Sequence, residues 1–246
     1  MRGVYEKILK NILCLLLISA FLCPSPPAAA DLGLRVTEEY YYIAEEEGKL
    51  RAYAFARVEN IGRDMLTVKS GLFEVLADDG SVLAFDDTPA FYAAAYLKPG
   101  EYGYVKGCAE LDERAAEKAA GFRFSAEPEL YKERAYTERF PCAGVYEEDV
   151  IYGRWLSYDY MQVTFTNPKD EVLYDLEAVM ILRAADGTIL NIGYAFMGLF
   201  NDAGLHPGST VTLRDINSAG LQAACEEKGY APAQVEALAY REVYAF

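Results

Sequence analysis

Apolar and polar residues alternate with a period of two along two separated stretches of this 246-residue chain. Ala54, Ala56 and Val58 share one face before Asn60, and Met161, Val163 and Phe165 share one face before Asn167. Such alternation predicts a strand with one side on a core. A second strand follows in each stretch, with Phe73 and Val75 inward in one and Met180 and Leu182 in the other. Asp79-Gly80 and Asp186-Gly187 then predict a turn, because Gly tolerates positive φ and Asp bonds its own backbone. Val82-Leu83 and Ile189-Leu190 return the chain and complete a hairpin. Pro99-Gly100 and Pro207-Gly208 predict another turn. In the strand after it Val105 and Leu213 are equivalent inward positions, and Tyr102 and Tyr104 stand where Thr210 and Thr212 stand in the other stretch.

These landmarks form an internal repeat. Asn60 and Asp79-Gly80 recur at an offset of 107, and Pro99-Gly100 and Gly121-Phe122 recur as Pro207-Gly208 and Gly229-Tyr230 at an offset of 108. A spacing held over four landmarks points to one small unit used twice. Leu111 to Ala120 and Ser218 to Lys228 are rich in helix formers and stop at Gly121 and Gly229, the C-cap position, so each unit is expected to carry one short late α-helix. A last strand is expected near Phe122 to Phe124 and Val235 to Tyr244. No helix lies between the strands to carry a parallel crossover, so the expected class is mainly β, two tandem sandwiches spanning 31–131 and 132–246. Their junction is expected between Pro128 and Arg134.

The stretches from Asn60 to Pro99-Gly100 and from Asn167 to Pro207-Gly208 resemble the FxLYD-type, immunoglobulin-like domains of exported bacterial proteins. That family has a strand ending in Asn, a hairpin with Asp-Gly and a later Pro-Gly turn. Phe73-Glu74-Val75-Leu76-Ala77-Asp78 departs from the naming motif by lacking its Tyr-Asp pair. The resemblance implies an immunoglobulin-like sandwich and export, and it brings no catalytic residues.

Residues 1–30 read as a secretory signal peptide, with Arg2, Lys7 and Lys10 ahead of an apolar run from Ile12 to Cys23 and with Ala28-Ala29-Ala30 at its end. The run is shorter than the roughly 20 residues a spanning helix needs, and no later segment reads as a span. The expected location is therefore secreted or cell-envelope, outside the cytoplasm of a bacterium. Cys23 offers a lipid-anchored alternative to cleavage near Ala30, against which Phe21-Leu22 just before it argue.

A net charge of −15, without clusters of Lys and Arg, argues against nucleic acid and against docking on anionic lipid by charge. Cys108, Cys142 and Cys225 remain after the leader; they fit no CxxC metal pattern, and one bridge, Cys142 with Cys225, stays open beside three buried thiols. The single His206 sits in a turn opposite Lys98, no Gly-x-Ser-x-Gly elbow surrounds a serine, and the triads are set aside. Carboxylates at Glu45 to Glu47, Asp78-Asp79, Asp86-Asp87 and Glu147 to Asp149 leave an acid-pair hydrolase open, although such runs suit turns. Asp78, Asp79, Asp86 and Asp87 lack the Asp-x-Asp-x-Asp-Gly spacing of a calcium loop. No metal, cofactor or catalytic residue is expected.

The 20 tyrosines are the best functional hint. Exposed Tyr can stack on sugars or anchor a protein at low entropic cost, and the alternative is that Tyr simply suits strands. Tyr92, Tyr96, Tyr102 and Tyr104 differ from their counterparts in the second unit, which makes them the candidate ligand contacts. The leading expectation is an exported non-enzymatic binding or spacer protein with an unknown protein or glycan partner. A carbohydrate-binding module comes next, and an acid-pair hydrolase third.

Overall fold

A computed structural model describes residues 32–131, 135–152, 156–197 and 204–244. The predicted leader, Cys23 and Trp155 lie outside the described residues. The first half contains β1 (Leu34–Glu46), β2 (Lys49–Asn60), β3 (Leu66–Ala77), β4 (Val82–Asp86), β5 (Ala90–Tyr92), β6 (Tyr102–Leu111), helix α1 (Glu113–Lys118) and β7 (Ala119–Leu130). The second half contains β8 (Ala135–Tyr152), β9 (Leu156–Thr166), β10 (Glu177–Arg183), β11 (Ile189–Phe196), β12 (Thr210–Asn217), helix α2 (Ala219–Glu227) and β13 (Gln234–Tyr244). The described chain is mainly β, and its ladders are antiparallel. None of its helices is long and apolar enough to cross a membrane.

The two halves pair their strands in the same way. Val75 opposes Ala84 and Leu182 opposes Asn191, and in both hairpins a bulge comes just after, before Leu76 and before Arg183. Ala56 opposes Val105 where Val163 opposes Leu213. The buried asparagines explain why the landmarks recur. Asn60 Nδ2 donates to the carbonyls of Asp64 and Leu97, and its Oδ1 accepts from Gly62 N. Asn167 Nδ2 donates to Glu171 and Leu205, and its Oδ1 accepts from Lys169 N. Each amide thus ties the end of one strand to the loop before the Pro-Gly turn, replacing the water those carbonyls would lose on burial. Asn60→Ala and Asn167→Ala are each expected to lower stability by roughly 2–4 kcal/mol, since three bonds go and buried groups are left unpaired. Chemical denaturation of both variants should give matched losses.

One equivalence fails. Gly121 lies inside β7, opposite Leu76, and caps no helix; α1 stops at Lys118 and the chain turns directly into strand. Gly229, at φ +77, does follow α2. By register the counterpart of Phe122, opposite Val75, is Val235, opposite Leu182. The sheets also differ. The first half has one sheet in the order β1-β2-β6-β5 and another in the order β4-β3-β7, whereas in the second half β13 pairs with β8 and makes one sheet, β11-β10-β13-β8-β9-β12. Its outer strands meet through side chains, Asp215 Oδ2 accepting from Tyr194 N and Asn217 Oδ1 from Asn191 Nδ2.

β2 shows how the halves stack. Ala52, Ala54, Ala56 and Val58 turn inward to the first half's own core, while Tyr53 and Phe55 join a cluster that includes Met161, Val179, Ile181 and Leu238 of the second half. The outer face of β1-β2-β6 therefore packs on the outer face of β10-β11-β13. These are the outer faces of non-equivalent sheets, since β1-β2-β6 matches β8-β9-β12 and β10-β11-β13 matches β3-β4-β7, and the result is a head-to-tail contact that could in principle continue indefinitely. Polarity ends it. The positions matching Phe55 and Tyr104 are Gln162 and Thr212, part of a face with Thr164 and Thr166 in which the threonine hydroxyls bond across strands. The positions matching Ile181, Leu238 and Tyr240 are Glu74, Ser125 and Glu127.

Helix α2 is the second tie between the halves. Ser218 caps it by accepting from Leu221 N, and Leu221, Ala224 and Cys225 turn into the core. A Cβ on Gly220 would collide with the Glu45 carbonyl and the Glu46 side chain of β1. In a free helix Gly→Ala stabilises by about 1 kcal/mol, but the obstacle here is backbone. Gly220→Ala is accordingly expected to lower the melting temperature, by the equivalent of about 1–3 kcal/mol of overpacking.

Candidate functional site

Three of the four tyrosines nominated from sequence gather on the seam between the halves. Tyr104 is fully buried, and its hydroxyl donates to Glu236 Oε1 at 2.6 Å. The nomination of Tyr104 as a ligand contact is therefore corrected: its ring fills the interface. Tyr102 is half-buried, sandwiched by the Arg57 guanidinium 3.9 Å from its ring centre, with Glu236 within 3.4 Å of its hydroxyl. Tyr92 stacks on Tyr194 of the second half with centroids 5.1 Å apart. Tyr96 lies away from this group, its ring 4.6 Å from Tyr131 and 6.3 Å from the exposed Tyr244.

Charge locks the same seam. Arg183, on β10, reaches Glu38 of β1 at 2.7 Å and Glu236 of β13 at 3.0 Å, and Glu38 also holds Arg57 at 3.0 Å. Burial alone would raise the Glu38 carboxyl, but hydrogen bonds from Arg183 and Arg57 outweigh it and hold the group below its ordinary value. The same carboxylate partners, against the pull of burial, keep Arg183 firmly charged. Lys106 donates to Asn191 Oδ1 and to the Ile192 carbonyl, both at 3.1 Å, and burial lowers its affinity for the proton. From β8, Arg139 donates to the carbonyls of Tyr102 and Ala93. Ala93 holds a positive φ of 52° in a buried position, a conformation that the clamp from Arg139 helps to fix.

Several carboxylates of the acid runs do ordinary structural work. Asp79 accepts from Ser81 N and Asp86 from Thr88 N and Cys108 N. Glu46 holds Tyr53 and Arg51, and Asp149 N donates to Asp159. Among the described residues the carboxyl pushed upward is Glu177, because of its burial, with Tyr240 and Tyr194 hydrogen-bonded to it. No run of acidic residues announced it; a single Glu ahead of the apolar stretch Ala178 to Leu182 was the available signal. His206 is exposed in its turn. Cys108, Cys142 and Cys225 are free thiols, Cys225 buried against the Leu190 carbonyl, so the suggested Cys142–Cys225 bridge is not formed.

Two features among the described residues stand open to solvent beside the candidate tyrosines and β8. One is the cluster of Tyr96, Tyr131 and Tyr244, where the Tyr244 hydroxyl donates to Glu242 at 2.7 Å and Leu130 is 45% exposed. The other is a cleft of about 490 Å3 beside β8, lined by Gly144, Val145, Tyr146, Glu148 and by Pro232 to Val235. No protein-family model matches the chain, and a search of curated proteins returned no match.

Proposed function

We propose that this chain is an exported, non-enzymatic pair of immunoglobulin-like units that binds or spaces components of the cell envelope or extracellular space. The observation that carries the reading is the seam. It commits aromatic rings, three arginines and a lysine to holding the two halves in one orientation, as a rigid scaffold for recognition would. The leader-like first thirty residues supply the case for export. Expression with the native leader should release a protein whose intact mass starts at or near Asp31, and broad screens for glycosidase, esterase and peptidase turnover should stay at background. Turnover that disappears in Glu177→Gln, with the fold intact, would replace this reading with the acid-pair hydrolase.

A glycan-binding role has one specific observation behind it, the surface cluster of Tyr96, Tyr131 and Tyr244 beside Glu242. Aromatic rings next to a carboxylate suit the apolar face and the hydroxyls of a sugar. A glycan array on which Tyr244→Ala loses signal favours it; an array without signal leaves protein recognition.

A further inference from the structure

The second half has an open strand edge where the first half has a covered one. β13 pairs with β8 from Ala135 to Ala143, and past that point the two strands splay, with Val235 pressed against Gly144. β8 itself continues to Tyr152, bonded on its other side to β9. From Gly144 to Glu148 it therefore offers alternate backbone groups on one side that no strand among the described residues takes, and the cleft of about 490 Å3 lies along that side. In the first half the matching length of β1 is Glu39 to Ile43, where Lys228, just past helix α2, lies 5.6 Å from the Tyr41 ring, and Gly220 of α2 abuts the Glu45 carbonyl two residues beyond it. Tyr146, opposite Met161, is the register counterpart of Tyr41, opposite Ala54. Among the described residues, then, α2 lies against this edge in the first half and no strand or helix pairs with it in the second.

Exposed edges are normally defended by lysine or other charges, by proline, by a bulge or by short length. Gly144-Val145-Tyr146 carries no charge and no proline, Val145 is 52% exposed, and the bulge against β9 comes only after Glu147. The chemistry of the rim selects the occupant. Glu148 faces the cleft, Glu147 and Asp149 flank it in sequence, and Arg214 stands 3.7 Å from Glu147 on the β9 side. We infer that an extended, basic peptide segment of a partner adds to the Gly144–Glu148 edge of β8 as a further strand. Main-chain bonds would hold it, side chains on one face would meet Val145, and Lys or Arg would meet Glu148. Five residues of edge correspond to a segment roughly 15 Å long.

This inference rests on the binding reading, and its test is separate from export and turnover. The secreted chain is panned against a displayed pool of random heptapeptides. Enriched sequences should carry Lys or Arg among strand-forming residues and lack Pro. A synthetic copy should protect amides of Gly144 to Glu148 in hydrogen exchange, weaken at least tenfold in Glu148→Lys or at high salt, and lose binding when its alternate amides are N-methylated. Val145→Pro should abolish binding while the far-ultraviolet spectrum stays native, and if that variant misfolds, the N-methylated peptide decides. No enrichment, or binders indifferent to N-methylation or to Glu148→Lys, overturns the assignment. Protection by a second copy of the chain, seen as a dimer in the absence of peptide, also overturns it.

Discussion

Replacing Arg183 by Ala is expected to lower the free energy of unfolding by about 3 kcal/mol, the usual scale for removing one member of a largely buried ion group. The side chain is 12% exposed and bridges Glu38 and Glu236 from opposite halves. Without it, Glu236 keeps Tyr104 and Tyr102 and Glu38 keeps Arg57, and the ion pairs that Arg183 makes with both carboxylates are gone. The loss should depend on pH in a defined direction. The Glu38 carboxyl is held below its ordinary value of 4.5 in the folded chain, so its contribution is fully present above that value and is lost as pH falls through the folded one. Wild type should therefore lose part of its advantage over Arg183→Ala below about pH 4.5, and urea unfolding at pH 7 and pH 3.5 measures it.

Tyr104→Thr, which installs the residue found at Thr212, is expected to destabilise by about 3–5 kcal/mol. A buried ring is replaced by a small polar group, leaving a void against Glu236 and the second half. Thr212 itself is exposed, and Thr212→Tyr should change stability by less than about 0.5 kcal/mol. The contrast separates the two roles of one register position: thermal denaturation of both variants should show a large loss for the first and almost none for the second.

Much of the strand order was legible because turn residues punctuate it. Asn60, Asp79-Gly80 and Pro99-Gly100 each satisfy a local backbone demand, and such demands leave fixed residue types in the chain. The helix boundary at Gly121 was misread for the converse reason, since a glycine inside a strand and one at a helix end look alike in sequence. The seam was half visible. Tyr102 and Tyr104 against Thr210 and Thr212 showed that the units differ on one face, and that difference was taken for ligand binding. The companion signal lay in the other unit, where Ile181, Leu238 and Tyr240 replace Glu74, Ser125 and Glu127. Two complementary changes toward apolar residues, on different faces, mark two surfaces that meet each other. The β8 edge left no sequence signal, because whether a strand is paired depends on where its neighbours diverge and not on its own residues.

The claim that the two halves form one locked body is tested most directly by native-state hydrogen exchange of the purified chain. Amides in the middle of β2 and of β10, which belong to the two sheets that meet at the seam, should exchange through a single global opening with the same free energy and the same denaturant dependence. Arg183→Ala should lower both together. If β10 opens at a free energy about 2 kcal/mol or more below β2, or if Arg183→Ala affects one strand alone, the halves are independent beads and the seam does not join them.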